Sequence, residues 1–243
     1  MPRGAARRAT GPEEAGPLTL ATDLAVRSPS RYDWPVKGFT RTVTWIFGIS
    51  GAIGLLLYLF VVDLWVVPRG PDGLFAASIL PTLMPEDKVL VHRGRVPAYG
   101  ELARCASPMT GEFVVGRVFG APGDRVEVTE GGVTTNGKGV VARHGCPPKV
   151  VAHPVTENLV TMNCGVAETG AWTFEYLTHP ERLTGTHSAI VEAGKLYLVS
   201  DNRLMHQDSR DFGQVDASTC EHVVFRLWGE RYADGTRRFN ILW

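Results

Sequence analysis

Three segments of the chain carry residue types suited to nucleophilic chemistry at a carbonyl. The first is Ser78-Ile79-Leu80-Pro81-Thr82-Leu83, followed by Pro85-Glu86-Asp87-Lys88-Val89-Leu90-Val91. The second is Val115-Gly116-Arg117-Val118-Phe119-Gly120-Ala121-Pro122-Gly123-Asp124, running on to Arg125-Val126. The third is Ser200-Asp201-Asn202-Arg203-Leu204-Met205-His206-Gln207-Asp208-Ser209-Arg210-Asp211-Phe212-Gly213. A serine hydroxyl is a weak nucleophile near neutral pH, so a neighbouring base must accept its proton during attack. Arg117 does not qualify, because a guanidinium stays protonated and has no acceptor. Each segment alone is a weak signal, since Pro-Gly-Asp and Asp-Asn-Arg occur in ordinary turns.

In their order, and behind an apolar span, the segments resemble those of type I signal peptidases. The first is similar to the nucleophile segment S-M-x-P-T-L with G-D-x-V-L-V, with Ile79 for Met and Glu86 for Gly. Gly100-Glu101-Leu102-Ala103-Arg104 is similar to a weaker family segment. Gly120 to Val126 matches G-L-P-G-D-x-V, Asn136-Gly137 matches the turn that closes the next hairpin, and the third segment looks like G-D-N-R-x-x-S-x-D-S-R-x-x-G. The resemblance implies a mainly β domain behind one N-terminal transmembrane helix, with Ser78 as nucleophile. It also implies cleavage of exported precursors after small residues, with the signal peptide and the lipid bilayer as partners. A substrate would bind as an added extended strand.

One element of the resemblance is missing. The family's base is a lysine immediately before the Arg of the second segment, and Gly116 holds that place here. Lys88 would have to point inward from its strand, which nothing in the pattern favours. His206 replaces the serine that in the family hydrogen-bonds the dyad lysine, so a relocated Ser78/His206 dyad is expected, with Asp208 as a possible orienting acid. Against it stands the plain reading of a histidine in a polar loop. The oxyanion donor is expected to be the Ser78 backbone N–H alone, because Ala76 stands where many members carry a second, hydroxyl donor. Ile79, Leu80, Pro81, Val115 and Gly116 are expected to line the substrate cleft. Asp201, Asn202, Arg203 and Arg210 read as scaffold. The alternative function is an inactive pseudopeptidase that binds exported segments or supports a paralogue.

The run Trp45–Val67, ahead of these residues, is broken only by Asp63. About 20 apolar residues span a hydrocarbon core, so a transmembrane helix over residues 42–67 is expected. A stretch of 44 residues, with polar and charged residues scattered through it, precedes Trp45, unlike a cleavable leader, although Ala76 and Ala77 resemble the end of one. Arg27, Arg31, Lys37 and Arg41 come before the span and only Arg69 follows closely. The positive-inside rule therefore puts the N-terminus in the cytoplasm and the main domain outside a bacterial inner membrane. Residues 1–41, rich in Gly, Pro and Ala without periodicity, read as a solvated tail.

Beyond the span, DKVLVH, EFVVGRVF, DRVEV, VTTNGKGVV, KLYLVS and HVVFRLW read as strands, with hairpin turns at Gly131-Gly132 and Asn136-Gly137. Residues 68–139 and 191–243 form the catalytic-type β domain, and 140–190, where the pattern loosens, reads as an insertion. Cys146 and Cys164 could close a disulfide loop there. A zinc site from them with His144 or His153 lacks a close Cys pair and is disfavoured, so no metal or cofactor is expected. Cys105 and Cys220 read as buried small apolar residues. Lys plus Arg and Asp plus Glu both number 25, and this balance with the absence of any nucleic-acid motif excludes a polyanionic partner.

Overall fold

In the apolar run the chain changes from helix to strand earlier than hydropathy implies. The computed structural model describes residues 36–69, 74–129, 132–154, 156–170, 172–179 and 185–242. Arg27, Arg31, Gly131 and nearly all of the expected tail lie outside these. The chain divides into two compact units, one ending at Phe47 and one beginning at Gly48. Of the first, the described part is the start of helix α1 (Val36–Phe60). Within α1, the stretch Phe39–Phe60 holds 18 consecutive residues with a mean hydropathy of 2.0, none of them buried, so the helix is long and apolar enough to cross a membrane.

The expected span to Val67 is corrected: α1 stops at Phe60, and Val62–Val66 form strand β1. The β-branched valines suit an extended backbone. Asp63 finds two cations there, Arg93 at 2.9 Å and Arg104 at 2.8 Å. Burial raises the Asp63 pKa, but the hydrogen bonds from Arg104 and Arg93 outweigh it and hold the carboxyl below its ordinary value. The one acid of the run thus belongs to the β domain.

Helix α2 (Leu74–Ser78) follows, then β2 (Lys88–His92), β3 (Leu102–Ala106), β4 (Phe113–Gly120), β5 (Arg125–Thr129), β6 (Gly132–Thr135) and β7 (Lys138–Gly139). Next come β8 (Val141–Ala152), β9 (Leu159–Thr169), β10 (Trp172–Thr178), β11 (Thr186–Ile190) and β12 (Lys195–Val199). Helix α3 (Ser209–Phe212) and strands β13 (Val215–Asp216), β14 (Glu221–Trp228) and β15 (Asn240–Ile241) complete the chain. All six strand-like runs are strands. Asn136 and Gly137, with φ of 54° and 76°, make the hairpin turn that demands left-handed backbone.

The main sheet has the order β1-β2-β14-β3-β4-β12-β13, with β15 paired to β14. A second sheet is β11-β5-β6-β7 and a third β10-β9-β8. The loosely patterned stretch is therefore mostly long strands. Its inner face packs Val151, Met162 and Leu177 around Ala77 and Met205.

Both cysteine pairs are disulfides. Cys146 and Cys164 face each other across β8 and β9; bonded sulfurs cannot serve as thiolate ligands, which removes the zinc alternative. The reading of Cys105 and Cys220 as lone apolar residues is corrected: they are bonded, with Cα atoms 4.1 Å apart. The pairing of β3 with β14 brings together residues 115 apart in sequence, and nothing local in the sequence signals that. Closing so long a loop restricts the unfolded chain. Replacing both Cys105 and Cys220 by alanine is expected to cost about 2–5 kcal/mol, read as a lower unfolding midpoint in denaturant; an unchanged midpoint would refute it.

Candidate active site

Helix α2 is short because Pro81 restricts Leu80 just after it, and it is held by its apolar residues. Phe75 stacks edge-on against Trp65 of β1 at 6.4 Å, and Phe75, Ala76 and Ala77 are all buried. Ser78 closes the helix and is itself buried, 1% exposed. Its Oγ donates to the Phe75 carbonyl at 2.7 Å. An N–H at the C-terminal end of an α-helix bonds four residues back, so the expected oxyanion donor lies in the helix ladder.

The third segment clamps this serine. Asn202 donates its N–H to the Ser78 carbonyl and its Nδ2 to the Ala77 carbonyl, each at 3.0 Å. Its Oδ1 accepts from the Leu204 and Met205 N–H groups, which fixes the loop that carries His206. Asp201 takes a forked hydrogen bond from Arg117, Nε to Oδ1 at 2.9 Å and an Nη to Oδ2 at 3.2 Å, and a further bond from Thr82. Arg117 is 1% exposed, also donates to the Gly100 carbonyl, and lies 4.1 Å over the Phe174 ring. Arg203 donates its backbone N–H to the Leu177 carbonyl of β10, whose own N–H donates to the Asp201 carbonyl, and its guanidinium lies over Phe119. Burial lowers the Arg203 pKa to about 10, so it stays charged at neutral pH.

The possible acids separate by partner. Asp208 caps α3, accepting the Arg210 N–H at 3.0 Å, the Arg210 guanidinium at 2.7 and 2.9 Å, and the Ser200 N–H at 2.7 Å. Burial pushes the Asp208 pKa up, but these bonds, Arg210's foremost, hold it below the ordinary value. A depressed folded pKa means that this stabilisation is complete above about pH 4, the unfolded value, and is lost as pH falls through the lower folded one. Asp208 is thus committed to Arg210, and the expectation that it orients His206 is corrected. The ring's partner is Asp211, whose Oδ2 lies 2.7 Å from His206 Nδ1 and also accepts the Asp208 N–H at 3.0 Å. The Asp-x-x-Asp spacing of a capping box, Asp208 to Asp211, was the sequence signal for this residue.

Of the expected cleft residues, Leu80 and Pro81 line a cavity of about 470 Å³ with Ala76 and Ala77. Ile79 and Val115 do not; both are 1% exposed, Ile79 within the core beside Phe75 and Leu83. Lys88 points elsewhere, its Nζ 5.9 Å from the centre of the Trp228 ring.

Gly116 sits inside the sheet, where an added Cβ would lie 3.1 Å from Leu198 Cβ and 3.4 Å from the Val199 carbonyl oxygen. The position the resemblance gives to a lysine has thus closed up. Gly116→Ala is expected to destabilise the domain by about 1–3 kcal/mol through overpacking, because the atoms met are a Cβ and a backbone carbonyl that cannot turn aside. Thermal unfolding of the variant beside the wild type checks it; a stabilised Gly116→Ala would show that β12 yields freely.

Comparison with known proteins agrees with the segments. Residues 41–228 match the family described as signal peptidase, peptidase S26. The chain is 25% identical over 180 residues to signal peptidase I V of Bacillus subtilis (strain 168), covering 72% of this chain and 94% of that protein. A crystal structure of a signal peptidase I from Enterococcus faecalis V583 is 25% identical, covers 54% of this chain and 97% of its own, and superposes with a TM-score of 0.33. The match to the family over residues 41–228, well over half of the chain, makes this chain a member of the signal peptidase, peptidase S26, family.

Proposed function

We propose that the chain is a membrane-anchored serine endopeptidase that removes signal peptides from exported precursors, with Ser78 as nucleophile and His206 as its base. The observation that carries this reading is the Asn202 clamp, which ties Ser78 and the His206 loop to one side chain. The Asp211 contact at Nδ1 favours the tautomer whose Nε2 accepts a proton. Attack requires Ser78 Oγ to leave the Phe75 carbonyl. An N-terminus in the cytoplasm and a β domain outside fit the two disulfides, which persist in oxidising compartments.

Two observations favour the second reading, a pseudopeptidase that binds exported segments without cutting or supports an active paralogue. They are the hydroxyl bonded within its own helix and the closed space at Gly116. Incubating the purified full chain in detergent with a precursor carrying Ala-x-Ala before its mature part separates the two. Cleavage at that site supports the first reading; binding without cleavage supports the second.

A further inference from the structure

We infer that the cavity bordered by β10, the Pro81-Thr82 turn and the segment from Thr236 to Leu242 binds a compact phosphate-type anion, free or as the headgroup of a lipid. The inference stands apart from the peptidase reading. The cavity has a volume of about 430 Å³, within the range of ~300–1,000 Å³ typical of ligand sites. Among the described residues it shares only Pro81 and Lys149 with the cavity beside α2.

Charge around it is uneven. Of the described residues that line it, Arg117, Lys149, Arg226 and Arg237 are cations and Glu175 alone is an acid, although the chain as a whole is balanced at 25 of each sign. Two of the cations are answered where they stand, Arg117 by Asp201 and Lys149 by Glu175. Arg226 and Arg237 instead lean on one oxygen, Asp87 Oδ2, Arg226 from 3.7 Å and Arg237 through a hydrogen bond. A single carboxylate does not neutralise both. Arg226 is 7% exposed, and its Nε has no acceptor among the described residues, a costly state for a buried donor. Burial foremost, and then Arg237, lower the Arg226 pKa, with Asp87 and Asp234 opposing them. Asp234 adds to the field, but its Oδ1 is taken by Thr236 and it borders a neighbouring cavity instead.

The class of ligand follows from the donors. The Arg237 side chain is 16% exposed, so an anion entering the cavity reaches it and adds the negative charge that the two guanidiniums lack. A guanidinium fork matches two oxygens of a phosphate. A phosphate also has oxygens on all sides, so it accepts from groups on different walls at once, whereas a carboxylate offers two oxygens in one plane, as Asp87 already does. Leu242 and the exposed Ile241 give the lining an apolar end, so the same site accepts the phosphate of a lipid as well as the free ion.

The test titrates the full-length protein, in an uncharged and phosphate-free detergent, with inorganic phosphate and with chloride at equal ionic strength, read by calorimetry. Saturable heat is expected with phosphate and none with chloride. Arg237→Gln is expected to weaken phosphate binding about tenfold or more, the loss of a charged hydrogen bond, and Arg125→Gln, which removes an exposed cation on β5, to leave it unchanged. Ile241→Glu, on an exposed side chain, is expected to weaken binding by about as much as Arg237→Gln through repulsion, and Ile241→Lys to leave it as tight or tighter, so the result does not hang on a variant of a paired residue. Phosphatidic acid added to the micelles, with oleate as an anionic lipid lacking phosphate, identifies the source. Competition by phosphatidic acid and not by oleate assigns the site to a lipid headgroup, and competition by neither assigns it to the free ion; both support the site. No saturable heat with phosphate, equal losses in Arg237→Gln and Arg125→Gln, indifference to Ile241→Glu, or equal competition by both lipids overturns the inference and leaves the proposed function standing.

Discussion

Ser78→Ala is expected to abolish precursor cleavage, with kcat/KM falling at least about 10³-fold while precursor binding persists. His206→Ala should lose activity on the same scale, and the double variant should be no worse, because a nucleophile and its base act as one unit. Asp211→Asn should reduce kcat by about 10²–10⁴-fold, since the amide no longer holds the ring's tautomer. Steady-state cleavage by each variant provides the check. Undiminished cleavage by His206→Ala would end the dyad, whatever Ser78→Ala does.

The largest effect on stability is expected at the buried pair of Arg117 and Asp201, each side chain 1% exposed. Removing one partner leaves the other charged and uncompensated in the interior, at a cost of about 3–5 kcal/mol. Arg117→Met and Asp201→Leu should each lower stability by that much. The two together should recover a large part, because replacing both charges removes the uncompensated one. A double-mutant cycle on chemical denaturation measures the coupling, and simple additivity of the two losses would contradict a direct pair. Loss of cleavage in either variant is no sign of a chemical role, since Asp201 also binds Thr82 beside the serine.

The legibility of this chain in sequence follows the range of the interactions. The six strand runs and the Asn136-Gly137 turn are set by alternation and local backbone demands, and they appear where the pattern places them. Ser78 and the Ser200–Gly213 segment were readable because they are short and ordered. What was hidden depends on distant pairing. Asp63 looks like a flaw in an apolar helix until Arg93, from the turn after β2, and Arg104, from β3, arrive. Cys105 meets Cys220 only through the β3–β14 pairing. Ile79 sits in a segment whose neighbours line a cavity, yet its side chain turns into the core with Leu83. Asp208 was the acid expected beside His206, but the Arg210 fork takes it and leaves the ring to Asp211.

One residue, Val61, separates the end of α1 from β1, and Arg93 grips both sides of that joint through the Leu59 carbonyl and Asp63. A one-residue connection bonded on both sides by the same guanidinium leaves the backbone between Leu59 and Asp63 few conformations, so the start of β1 is set by Arg93 as much as by its own ladder.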